Sequence, residues 1–197
     1  MNEEYTVGTL RYFFILLSVF FVASTLGYSF ASNNPEAGKG FVDQVFEGFK
    51  FIDFSNPLEV FSIIFLNNTL KSLVSILTGF FFGIFPFIFI FINGYLVGMV
   101  VFVKGSEVGF QTVILSLLPH GILEIPAVIL ASAYGMRLGS LFYQKVFKGS
   151  GMSIGDAMKF FLARFARVIV PILLAAALVE TFITPAVVFY LGGFSMI

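Results

Sequence analysis

His120 and Glu124 stand four residues apart in an apolar stretch, and His120 is the single imidazole of the chain. On a helix this spacing puts both side chains on one face, near enough to share a proton or a ligand. Three chemistries fit the pair. As a local staple, His120 satisfies a carbonyl that Pro119 has deprived of its amide donor, and the pair holds a discontinuous helix together. As an ion site, Glu124 binds or relays a cation or proton and His120 tunes it, in the way broken helices build sites in transporters. As an acid–base pair, the two serve an intramembrane hydrolase, which also needs a nucleophile or an activated water. The spacing is His-x-x-x-Glu, not the His-Glu-x-x-His of zinc proteases. With one histidine and no cysteine, neither a multi-histidine nor a thiolate metal set can form within one chain. The sequence therefore nominates no catalytic residue, no metal ligand set and no cofactor.

Other polar residues lie in apolar surroundings: Asn67, Asn68, Lys71, Asn93 and Glu180. An amide in hydrocarbon must find partners, because leaving it unpaired costs a few kcal/mol. Asn67 and Asn68 are placed to satisfy backbone near Pro119. Lys71 has three expected fates: pairing with Glu124, pairing with Glu107, or reaching to the outer interface along its own stem. Glu180, between Pro171 and Pro185, is a second candidate carboxylate. These groups either hydrogen-bond within the structure or line a polar route. Three glycine pairs, Gly79 with Gly83, Gly94 with Gly98 and Gly135 with Gly139, each put two glycines on one helix face. They fit close packing within the chain, a contact between subunits, or a ligand pathway.

The elements that must hold these side chains are membrane helices. In 197 residues, 58% of side chains are apolar, and eleven bases and eleven acids are too few to coat a soluble domain. Mean hydropathy is +1.00. Strands of a membrane barrel would alternate apolar and polar positions over about ten residues, a pattern missing here. The expected fold is an all-α polytopic bundle of about five spans forming one integral membrane domain over 1–197. Zero net charge, with no basic stretch interleaved with exposed aromatics, argues against nucleic acid as a partner.

The spans are expected at 9–30, 59–82, 85–103, 108–134 and 168–190, the fourth broken at Pro119 and Gly121. Residues 72–103 are too long for one crossing: as a helix they would extend about 48 Å against a core of roughly 30 Å. The turn that divides them is expected at 83–86. A further tight turn is expected at 104–107, with Ser106 as N-cap. Residues 32–59 carry Glu36, Asp43, Glu47, Asp53 and Glu59 against Lys39 and Lys50, and within the segment 32–57 apolar residues recur helically over 41–52. It reads as an external amphipathic segment. Segment 137–167 carries Arg137, Lys145, Lys148, Lys159, Arg164 and Arg167 against Asp156, and reads as a cytoplasmic basic connection. Five spans put these segments on opposite sides, with the N-terminus cytoplasmic and the C-terminus external; four would not. The expected location is the cell membrane.

The ordered set Asn67-Asn68, Gly79 and Gly83, Asn93-Gly94 with Gly98, Pro119-His120-Gly121 with Glu124, and Pro126-Ala127 resembles the stage II sporulation protein M family. The resemblance implies an integral membrane fold and a scaffold role, since the family's namesake organises peptidoglycan-degrading partners at a membrane during engulfment. The leading expectation is thus a non-enzymatic membrane scaffold or assembly protein, in contact with lipid, homo-oligomeric, and serving a membrane or envelope protein. A small ion or solute transporter using Glu124 and His120 is the alternative, and an intramembrane hydrolase comes third.

Overall fold

The computed structural model describes residues 2–48, 55–149 and 153–192; the side chains of 2–5, 7, 119, 120, 188, 189, 191 and 192 fall outside that description. Among the described residues the elements are helices, and five of them are long and apolar enough to cross a membrane. The first, α1 (Asn2–Asn33), ends where Asn34 precedes Pro35. Proline opens α2 (Pro35–Glu47) at its first position, where the missing amide proton costs nothing. The amphipathic helix therefore begins earlier than the expected 41, and its continuation over 49–52 lies outside the described residues. Val42 of α2 is buried with Ala31, Met99 and Val103, so this helix caps the bundle.

Helix α3 (Pro57–Thr78) starts under Asn56, whose side-chain oxygen accepts from the Leu58 and Glu59 amides at 3.2 and 3.4 Å. Its end and the start of α4 (Ile84–Val108) are joined by a tight turn, with Phe82 and Gly83 at φ 55° and 76°. Pro86, expected in the turn, sits inside α4. The expected turn at 104–107 also belongs to α4: the Ser106 hydroxyl donates to the Phe102 carbonyl at 2.9 Å, and the chain reverses at Gly109 with φ 91°. A left-handed turn needs glycine, and Gly109 supplies it one turn later.

Helix α5 (Phe110–Lys148) is continuous, against the expected break at Pro119 and Gly121. Each proline removes one donor from the ladder, whereas opening the helix in hydrocarbon would orphan several backbone groups at several kcal/mol each. The last crossing is one helical column: α6 (Ile154–Arg164), a π-turn (Phe165–Ile169), α7 (Val170–Leu178), a second π-turn (Val179–Ile183) and α8 (Thr184–Gly192). Ser153 caps its start by accepting from the Asp156 amide at 3.3 Å. Each π-turn lies just before a proline, Pro171 or Pro185. Widening the helix there moves aside the carbonyl that the proline ring would strike.

Helix α5 is the axis of the bundle. One side of it packs on α1 and α4, the other on α3, α6 and α7, and α8 completes the circuit. Leu16, Phe20, Ile90, Ile129 and Ala133 fill the first side, and Ile76, Leu138, Phe161, Ile169 and Leu173 lie in the second. Lipid tails are as apolar as leucine, so these contacts hold helices together by packing and not by exclusion of water.

Candidate functional site

Close helix contact sets the site. A β-carbon on Gly79 would strike the Gly135 backbone, and one on Gly139 would strike Gly83. Gly135 and Gly139 of α5 therefore meet the end of α3 at Gly79 and the turn after it at Gly83, so the first expected pair lies in a turn and not on one helix face. The third pair, Gly94 and Gly98, is covered by α1 at Phe20 and Ser24. All three are thus occupied by contacts inside one chain.

One turn from the glycine contact, the hydroxyls of Ser75 and Ser132 lie 2.9 Å apart, both buried. Helices α3 and α5 run parallel through this joint, Ser75 facing Ser132 and Gly79 facing Gly135. Carried back two turns, the same register sets Asn67 and Asn68 at the depth of Glu124, about 12 Å from the serines.

Glu124 is 6% exposed. Its side chain lines a cavity of about 40 Å³ with Asn93, walled by Phe20, Ile90, Val97 and Val128. A water needs about 10–15 Å³ on this measure, so the space is enough for a few waters or a small ion. Asn93 donates through Nδ2 to the Phe89 carbonyl at 2.7 Å, which leaves its Oδ1 as an acceptor. A carboxyl and an amide oxygen lining a small cavity can hold a water, a proton or a compact cation.

The remaining sequence candidates sit elsewhere. Asn67 donates to Asn68 at 3.4 Å, and neither lines the cavity. No helix break at Pro119 awaits them, because α5 is continuous. Lys71 is exposed in a groove of about 340 Å³ between α3 and α4, with Leu70, Val74, Phe85 and Phe89. Among the described residues it has no ion-pair partner, so neither expected pairing forms. Helices α3 and α4 diverge from their turn and leave Lys71 in the open groove, while α1 and α4 close over Glu124. Glu107 is engaged instead at the far end of α4 by Lys39 and by Lys104, the latter at 2.7 Å. Glu180 is half-buried in the second π-turn, which packs on α3 and α5. The His120 side chain lies outside the described residues, and with it the His120–Glu124 staple. No group of three histidines and acids is placed to hold a metal among the described residues.

Two features went unread in the sequence. The Ser75–Ser132 joint had a signal, since each serine lies one turn before a glycine of the facing pair. The cluster of Lys39, Asp43, Lys104 and Glu107 joins segments far apart in the chain. Lys39 lies 3.6 Å from Asp43 in addition to its bond with Glu107, and Lys104 is 3.9 Å from Asp43.

No curated protein and no solved structure matches the chain. A family model, stage II sporulation protein M, matches residues 14–185, which take in most of every span and nearly every polar position described above. With the five-helix architecture and the buried Glu124 beside glycine-paired helices, the chain belongs to the stage II sporulation protein M family.

Proposed function

We propose that the protein is a non-enzymatic scaffold of the cell membrane that assembles with further copies of itself and with a membrane or envelope protein. The observation that carries this reading is how the intramembrane polar groups are used. Ser75 bonds Ser132 and so fixes α3 against α5, while Asn67 bonds Asn68 and Asn93 bonds its own helix, so these side chains are spent on holding the fold. The exposed Lys71 supports assembly. It lies 14 residues into the 22-residue α3, about 21 Å from the helix start, where an uncovered ammonium is expensive. A facing chain that brings a carboxylate or carbonyl to the α3–α4 groove removes that cost.

The proposed orientation puts the N-terminus in the cytoplasm and the C-terminus outside. It is supported by the sorting of charge. Gly8 packs on Arg137, at the end of the bundle that also carries Lys145 and Lys148, and the Lys39–Glu107 cluster occupies the opposite end.

Transport is the second reading, favoured by the small Glu124–Asn93 cavity. Proteoliposomes loaded for sodium, potassium and proton flux separate the two. For the scaffold, wild type, Glu124→Gln and His120→Ala all give background flux, and native gels of membrane extracts show complexes larger than one chain that shrink with Lys71→Leu. Wild-type flux that Glu124→Gln abolishes would sink the scaffold reading.

A further inference from the structure

The opposite end of the bundle from the ion-pair cluster holds a second, mixed cavity. Its volume is about 60 Å³, and it lies where α1, α5 and α6 meet. Exposed Thr6 and Arg164 stand at its mouth; Thr9 and Tyr134, only 3% and 6% exposed, form its floor, with Leu130 and Phe160 as walls. Arg164 rests over the Phe160 ring at 5.4 Å, which orients the guanidinium without using its five N–H donors. Among the described residues no carboxylate pairs with Arg164, and the Tyr134 hydroxyl has no hydrogen-bond partner. Tyr134 is fixed by stacking on buried Phe161 at 5.2 Å.

The setting adds a sign and a depth. Arg11, Lys159 and Arg167 lie within three residues of the lining residues Leu10, Phe160 and Arg164, with Lys145 and Lys148 further out along α5, and none makes an ion pair among the described residues. On α1 the cavity lies where the first apolar span begins, at Gly8 between Thr6 and Thr9. Leu10 and Phe14, 50% and 61% exposed, continue up the outer face of α1 from its mouth.

We propose that this cavity binds the phosphate of an anionic phospholipid. The Arg164 guanidinium forks onto two phosphate oxygens, the Tyr134 hydroxyl donates to a third, and an acyl chain follows Leu10 and Phe14. A planar fork suits a tetrahedral oxyanion, and a half-buried site at the interface strengthens the contact relative to bulk water. The same chemistry would take free phosphate, but the exposed apolar track favours the lipid. The site is independent of the scaffold reading: a transporter could carry it equally well.

The test is native mass spectrometry of the full chain in neutral detergent, titrated with phosphatidylglycerol, with phosphatidylcholine of the same chains, and with inorganic phosphate. Wild type is expected to prefer phosphatidylglycerol by about tenfold, as charge-assisted bidentate contacts allow. Arg164→Gln removes the preference, Arg164→Lys keeps part of it, and Tyr134→Phe weakens it about threefold, the loss of one hydrogen bond to a partly solvated anion. Lys159→Gln, an exposed base outside the cavity, leaves it unchanged. Thermal melts in phosphatidylcholine micelles confirm that each variant is folded. An undiminished preference in Arg164→Gln, or an equal loss in Lys159→Gln, overturns the site in favour of diffuse attraction. Inorganic phosphate competing as well as the lipid, and dependent on Arg164, overturns the lipid as ligand.

Discussion

Ser75 and Ser132 show what single residues do in this bundle. A hydroxyl pair at 2.9 Å between parallel helices has no water to compete with it, yet the gain is modest because the unfolded chain in a membrane also finds partners. Ser132→Ala and Ser75→Ala should each lower stability by about 0.5–1.5 kcal/mol. A double-mutant cycle in mixed micelles should give a coupling near 0.6 kcal/mol, and zero coupling would mean that the hydroxyls do not bond. Lys39 gives a pH test outside the spans. Its bond to Glu107, and then the charge of Asp43, hold its ammonium above the ordinary value of 10.5. A raised folded value means that its contribution is complete below 10.5 and is lost as pH rises through the folded value. Spin labels on Gln44→Cys and Gln111→Cys should keep their separation up to that range, then move apart. A separation that changes between pH 6 and 9 would assign the docking of α2 to other groups.

At the scale of helices, small residues set distances. Gly79, Gly135 and Gly139 are fixed by backbones that touch, and a methyl at Gly79 has no flexible neighbour to displace. Gly79→Ala should cost about 1–3 kcal/mol, the usual penalty of overpacking. Gly40 is the internal control, since a β-carbon there meets nothing within 4 Å. Gly40→Ala should stabilise α2 by about 0.5–1 kcal/mol through helix propensity alone. Unfolding titrations of the two variants in the same detergent check both signs. The π-turns belong to this scale too. They let Pro171 and Pro185 sit in a crossing whose backbone must remain bonded, while α5 carries Pro119 and Pro126 as plain α-helix.

For the whole molecule, charge and connectivity give one testable orientation. The absence of cysteine makes labelling clean. Gln44→Cys should react with an impermeant maleimide on intact cells. Ser153→Cys should react only after the membrane is opened. The reverse pattern would invert the topology and move the basic end, with Arg164, to the outer leaflet. Both sites reacting from one side would mean an even number of crossings between them, against the three helices that separate them.

Composition and apolar run length were enough to read five crossings, because a spanning helix must be long, apolar and self-bonded whatever surrounds it. Charge sorting assigns sides to the two polar ends, an orientation that the labelling decides. The glycine pairs were legible as close contacts, though not which faces would meet, since Gly79 finds Gly135 only once α3 and α5 lie parallel. The sequence also marked Glu124 and Asn93 as polar groups in hydrocarbon. Three-dimensional packing alone decided that they share a cavity, that Lys71 stands apart in an open groove, and that Glu107 belongs to Lys39 and Lys104. Continuity of α5 through Pro119 was likewise hidden. A proline's local preference is to break a helix, and the wish of the surrounding backbone to stay bonded in hydrocarbon outweighs it. Local rules follow from each residue's own chemistry; partners depend on helix register, which is set by contacts spread across the whole bundle.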